Sequence, residues 1–259
     1  MSSQAPPAML RVQGVSKHFG GLHAVEKASF DVPQGLITSM IGPNGAGKTT
    51  LFNVISGLLP QTEGRITFKG TDITGWPPHR IVAAGMGRTF QSLEYFDNLN
   101  VVENVIASRF CRTGSSLLES ILGLPRDWRE RRNNRQVAEE LLEWVGLQDR
   151  MYFMPTELSY GMQRRLEVAR ALATEPDMMM MDEPTAGLTQ SIVEGLMELI
   201  GRLKEMGKTI FLIEHNMNVV MSISDKVVVM NFGEMLAEGS PAEVQANPEV
   251  VDAYLGVRV

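Results

Sequence analysis

The sequence has a single cysteine, Cys111, among 259 residues. No internal disulfide is therefore possible, nothing requires an oxidising compartment, and an ordinary reduced thiol is the expectation. Long apolar runs are missing too. The most apolar stretches, Met178 to Met181, Thr209 to Ile213 and Val227 to Met230, fall far short of the about 20 residues that cross a bilayer. Residues 1–7 carry neither a basic start nor an apolar segment of signal-peptide length. Positive charge is in deficit, with 24 Lys+Arg against 30 Asp+Glu and a net charge of −6. That balance gives no support to general nucleic-acid binding. Internal repeats, low-complexity tracts and Pro/Ser-rich linkers are also lacking, so separately folding domains are not indicated.

What is present is an ordinary globular balance of 44% hydrophobic and 21% charged residues. A chain of this length can bury roughly 70–75% of its unfolded surface, enough for one large domain or a core with a subdomain. The 17 methionines read mostly as adaptable packing. Short apolar runs alternate with amphipathic stretches, the pattern of helices packed on a sheet. Leu36 to Ile41, Arg65 to Phe68, Met178 to Met181, Lys208 to Ile213 and Lys226 to Met230 read as strands. Asn231-Phe232-Gly233 turns the chain into a further short strand, Glu234 to Ala237. Helices are expected over Lys48 to Ser56, Gln163 to Thr174, Ile192 to Glu205 and Asn216 to Ile223, with short ones near Ala242 and Val250. Residues 92–160 contain no strand-like run, and Val137, Leu141, Leu142 and Val145 recur at helical spacing before Gly146. The fold class expected is α/β with an inserted helical subdomain.

Gly42-Pro43-Asn44-Gly45-Ala46-Gly47-Lys48-Thr49-Thr50 fits G-x-x-x-x-G-K-[ST] between an expected strand and an expected helix, the context a phosphate loop needs. The glycines let backbone N–H groups curl around phosphates, and the helix N-terminus adds a favourable dipole. Lys48 would neutralise phosphate charge and the Thr49 hydroxyl would ligate Mg2+. The apolar strand Met178 to Met181 ends in Asp182 and Glu183, which places both carboxylates at the sheet edge where open α/β folds bind ligands. Asp182 would hold magnesium and Glu183 would polarise an attacking water. Read alone, Asp-Glu-Pro is equally an ordinary surface turn.

With those two motifs, Leu158-Ser159-Tyr160-Gly161-Met162-Gln163 resembles the signature helix of ABC-type ATPases, usually Leu-Ser-Gly-Gly-Gln. The resemblance spans about residues 10–256. It implies a P-loop NTPase core at about 10–91 and 161–240, an antiparallel β subdomain, a helical subdomain at about 92–160 and C-terminal helices at about 241–256. It implies ATP and Mg2+ as ligands and adds further site residues. Gln91 falls at the family's Q-loop, facing the metal, and His215 at its γ-phosphate switch. Phe19 takes the place of the adenine-stacking aromatic. Ser159 reads as an N-cap, and with Gly161 it would meet ATP bound to a second subunit. Tyr160 and Met162 depart from the signature, and Thr189 stands where the D-loop usually carries an acid.

Pro184 to Leu188, Ile213 to Met217, the Leu-Ser-Tyr-Gly signature and Asn247 to Gly256 are similar to ATPases of branched-chain amino-acid importers, in particular the larger of their two paired types. That likeness implies a homologous or identical second ATPase subunit, two transmembrane permease subunits, an external solute-binding protein and a peripheral place on the cytoplasmic side of the inner membrane. Urea, amides or another small solute remain alternative cargoes, and a non-hydrolytic ATP-gated module is the alternative from another class. Leu117, Leu118, Ile121 and Leu122 could touch a membrane subunit or form a satellite core. Arg126 to Arg135, interrupted by Asp127 and Glu130, reads as a solvated helix face.

Overall fold

Runs that are apolar at every position form the centre of the molecule, because a strand covered on both faces has no position left for water-facing polarity. The structure is a computed structural model that describes residues 6–89, 95–112 and 125–255. Its first five strands are β1 (Ala8–Phe19), β2 (Leu22–Pro33), β3 (Ile37–Ile41), β4 (Glu63–Phe68) and β5 (Thr71–Asp72). They are followed by β6 (Met86–Arg88), β7 (Met178–Asp182), β8 (Thr209–Ile213), β9 (Lys226–Asn231) and β10 (Glu234–Gly239). One sheet has the order β10-β9-β3-β8-β7-β6 and the other β2-β1-β4-β5. In the first sheet β3 pairs in parallel with β8 and β9, β7 with β6 and β8, and only the edge strand β10 is antiparallel. The second sheet is antiparallel throughout.

The helices are α1 (Lys48–Ile55), α2 (Pro78–Ala83), α3 (Val101–Ser108), α4 (Pro125–Trp144) and α5 (Tyr160–Ala173). They continue with α6 (Gln190–Glu205), α7 (Met217–Ile223), α8 (Pro241–Gln245) and α9 (Pro248–Leu255). The α3 start is fixed by a capping box in which Asn100 accepts from the Glu103 N–H and Glu103 accepts from the Asn100 N–H. Helix α4 begins well before the apolar spacing that marks it at Val137. Its first half is rich in arginine, which favours helix without leaving a hydrophobic period.

Strand parity divides the core into layers. Met178 and Met180 of β7, with Phe211 and Ile213 of β8, join Phe52, Leu10 and Phe68 between the two sheets. Met179 and Met181, with Ile210 and Leu212, join Val105, Leu142, Leu166 and Ile200 on the helical side. All four methionines are fully buried, each worth about 1.5–3 kcal/mol of burial. The β9 strand repeats the pattern: Val228 and Met230 face the inter-sheet core, whereas Val227 and Val229 meet Val244 of α8 and Val250 of α9. The observed fold class is the expected one, a P-loop-type α/β core with an antiparallel sheet and a helical region. The stretch around Leu117, Leu118, Ile121 and Leu122 lies outside the described residues.

Candidate functional site

Because β3, β7 and β8 run in parallel, their carboxyl ends meet at one edge, and each is followed directly by candidate site residues. The loop from Gly42 to Gly47 leaves β3 and enters α1. Two of its glycines are required by close backbone approach as well as by torsion. A Cβ on Gly42, at φ 152°, would lie 2.1 Å from the Met230 carbonyl oxygen, and one on Gly47, at φ 95°, would lie 2.3 Å from that of Ala24. The loop is therefore held between β9 and β2. At the start of α1 no side chain caps the helix and no acid occupies the first turn, which leaves backbone N–H groups available to an anion.

Lys48 is 5% exposed. Its Nζ donates to the carbonyls of Gly42 at 2.8 Å and Pro43 at 2.9 Å. Burial draws its pKa below the usual lysine value, opposed by the charges of Glu183 and Asp182. Asp182, 2% exposed, ends β7. Its Oδ2 accepts from Arg88 Nη2 at 3.2 Å, while its buried Oδ1 has no hydrogen-bond partner among the described residues. Burial lifts this carboxyl above the ordinary range in spite of the neighbouring guanidinium of Arg88, with Glu183 adding to the rise. An orphaned buried carboxylate oxygen is a strong requirement for a cation or donor, so Asp182, with the exposed Thr49 in the first turn of α1, fits Mg2+ by the chemistry of its donors.

Glu183 holds a left-handed backbone at φ 48°, a sparsely populated region for a side-chain-bearing residue. Its N–H donates to the Ile213 carbonyl at 3.0 Å. Its Oε1 lies 2.5 Å from His215 Nε2. Glu183 and His215 line, with residues 44–50, a cavity of about 460 Å³ whose lining also includes Leu22, His23 and Phe232. That size is usual for a small-molecule site. Phe19 is 46% exposed and packs beneath Lys17 Nζ, 4.9 Å from the ring centroid. It pairs with Leu22 across the β1–β2 turn, next to the cavity wall.

Ser159 and Gly161 are not brought to this cavity within the chain. Ser159 does cap α5, its Oγ accepting from the Met162 N–H at 3.5 Å. A Cβ on Gly161 would meet Ile192 Cγ2 at 2.7 Å, so this glycine is needed for packing α5 on α6. Tyr160 is tied in place as well, its hydroxyl accepting from Arg164 at 2.8 Å and donating to the Ala186 carbonyl at 3.4 Å. Gln91 lies outside the described residues.

Two residues at the site were not singled out by motif reading. Arg88 joins Asp182 to α1, donating also to Ser56 Oγ at 2.5 Å. Glu214, 2% exposed, accepts from Thr185 and from the backbone beside His215. The apolar run before Glu214 placed it at a strand end, but no sequence signal shows which way its side chain turns.

Residues 25–186 match the ABC transporter family, and residues 234–259 match the branched-chain amino acid ATP-binding cassette transporter family. The chain is similar to the high-affinity branched-chain amino acid transport ATP-binding protein BraF of Pseudomonas aeruginosa. The two are 41% identical over 249 residues, covering 96% of this chain and 98% of that protein. The ADP conformation of an ATP-binding cassette of an ABC transporter superposes with a TM-score of 0.81 at 33% identity, covering 96% of this chain and 99% of the other. A dimeric bacterial ABC transporter cassette, 25% identical, superposes with a TM-score of 0.76 over 90% of this chain and 99% of the other.

Proposed function

The chain belongs to the ABC transporter family of ATP-binding proteins, and on that premise we propose that it is the ATP-hydrolysing subunit of an importer for branched-chain or related amino acids. The observation that carries the hydrolytic part is the Glu183–His215 contact of 2.5 Å in the wall of the same cavity as the phosphate loop. The relatives' transport role and the matched C-terminal family support the cargo class. Among the described residues no helix is long and apolar enough to cross a membrane, so the permeation path belongs to partners. Those partners are two transmembrane permease subunits, fed by an external solute-binding protein, with this chain at the cytoplasmic face.

In this reading residues 42–50 cradle the phosphates of ATP, and Phe19 stacks on the base. Lys48 exchanges the loop carbonyls for phosphate oxygens as its counter-ions. Thr49, Asp182 and Gln91 would hold magnesium, which when bound supplies charge neutralisation on the phosphates. Glu183 accepts a proton from the water that attacks the γ-phosphorus, while the bond to the β-phosphate bridging oxygen breaks and ADP departs. His215 holds the Glu183 carboxylate from the far side. Among the described residues Ser159 and Gly161 do not line this cavity, and a second, homologous or identical ATPase subunit supplies that helix end. Its closure over the nucleotide would move the helical region against the permeases.

The test is phosphate release by the chain assembled with its partners. Glu183→Gln is expected to lower kcat by roughly 10²–10⁴, the size of a general-base contribution, with ATP affinity retained. Unchanged turnover in that variant would refute the assignment.

A further inference from the structure

Glu214 sits between the two loops that carry the reacting groups, and its carboxylate accepts four hydrogen bonds from them. Its Oε1 accepts from the Thr185 N–H at 3.0 Å and from Thr185 Oγ1 at 2.6 Å. Its Oε2 accepts from the N–H of His215 at 3.1 Å and of Asn216 at 3.4 Å. One oxygen thus serves the turn after Glu183, and the other serves the backbone of His215. The carboxylate is 2% exposed, and a buried charge survives only when its lone pairs are used in this way.

The turn it holds needs holding. Glu183 keeps a left-handed φ of 48°, and such a conformation persists only where the surroundings over-determine it. That turn is held by the Glu183 N–H to Ile213 carbonyl bond at 3.0 Å, by the Ala186 N–H to Glu183 carbonyl bond at 3.1 Å and, through the side chain of Glu214, by the paired bonds of Thr185. Release of Thr185 would let the turn relax and carry the Glu183 carboxylate away from His215 Nε2. On the other side, release of the His215 N–H would free the imidazole's own backbone.

We infer that Glu214 is a positioning residue for ATP hydrolysis, a buried clamp that sets the distance between the Glu183 carboxylate and the His215 imidazole, with Thr185 as its other half. The inference rests on the ATPase reading above. Glu214 is buried and does not line the cavity that the phosphate loop shares with Glu183 and His215, so its effect falls on turnover and leaves the phosphate loop untouched.

The chemistry of the clamp selects the variant. Glutamine has the shape of Glu214 but one acceptor oxygen and one amide nitrogen, and no orientation of that amide satisfies N–H donors on both sides. Glu214→Gln therefore opens one half of the clamp without a cavity. Thr185→Val removes the hydroxyl bond alone and leaves the buried charge unchanged. In the assembled complex, Glu214→Gln is expected to lower kcat at least 10-fold and Thr185→Val about 3-fold. Both should keep ATP affinity within 2-fold of the parent and full nucleotide-binding stoichiometry. A residue with only a structural role would instead lower the fraction of chain that binds ATP, at constant kcat per bound site. That result, or kcat within 2-fold of the parent in both variants, overturns the positioning role. Absence of turnover in the unmodified complex would overturn the ATPase reading and this one with it, whereas parent turnover with unaffected variants overturns this one alone.

Discussion

Gly47→Ala isolates the contact by which the antiparallel sheet grips the phosphate loop. At Gly47 an added methyl meets two obstacles: a φ of 95°, and the Ala24 carbonyl oxygen at 2.3 Å from the new Cβ. Gly45, at φ 80°, has the torsion but nothing within 4 Å, so Gly45→Ala serves as the control within the same loop. The left-handed torsion costs an alanine about 1–2 kcal/mol, and both variants bear it. The contact at Gly47 is with backbone of β2, which cannot swing aside as a side chain tip can, so a further cost of about 1–3 kcal/mol is expected from overpacking. For a chain of this size each kcal/mol moves Tm by about 2–4 °C, which puts Gly47→Ala about 2–12 °C below Gly45→Ala. Thermal unfolding followed by circular dichroism, without nucleotide and at one pH, reads the difference directly. Equal Tm values for the two variants would refute the claim that the loop is clamped against β2.

Two other predictions use the site's exposed and buried extremes. Phe19→Ala removes a ring that is already half in solvent, so Tm should stay close to the parent. ATP affinity should fall about 2–10-fold, the equivalent of roughly 0.5–1.5 kcal/mol of aromatic contact, and GTP affinity should fall in parallel because stacking is indifferent to the base edge. Calorimetric titration with both nucleotides checks this, and unaltered affinities would remove Phe19 from the site. Asp182 gives a pH signature. Its folded-state pKa is raised by burial, so between the ordinary value of about 3.9 and the raised one the folded chain holds more protons than the unfolded chain. Its contribution is most favourable below that window and is lost as pH rises through the folded pKa. Asp182→Asn should abolish that slope, seen as a pH-dependent difference in Tm between parent and variant measured without metal. A constant difference would contradict the shift.

The parts of the fold that could be read in the sequence are those whose burial is uniform. Met178 to Met181, Ile210 to Ile213 and Val227 to Met230 are apolar at every position because both faces of their strands are covered, and no competing pattern obscures them. The long β1–β2 hairpin was not legible residue by residue. Its burial alternates irregularly, and the register slips between Val12 and Val15 and again before Lys17. Bulges of that kind, helped by Gly14 at φ 58° and Lys27 at φ 45°, break the two-residue period on which strand recognition depends. The start of α4 was hidden for the opposite reason, since a solvated arginine-rich helix face carries no hydrophobic period at all.

Legibility of the site follows the same division between local and distant constraints. A phosphate loop is one contiguous segment whose glycines are demanded by its own path, so Gly42 to Thr50 announces itself. Arg88 and Asp182 are 94 positions apart, and Glu214 and Thr185 are 29 apart; each pair acquires meaning only when the sheet edge brings its members together. Gly161 shows the reverse case, in which a residue that the motif assigns to a nucleotide contact also has a packing role within the chain that the motif does not announce. Its missing side chain is required by Ile192 at 2.7 Å, whatever approaches the helix end from outside. A Gly161 substitution would therefore disturb α5–α6 packing before it reported on any nucleotide contact. Ser159, whose Oγ among the described residues makes only the long 3.5 Å cap, is the position at which a contact from a second subunit can be examined without unpacking the first.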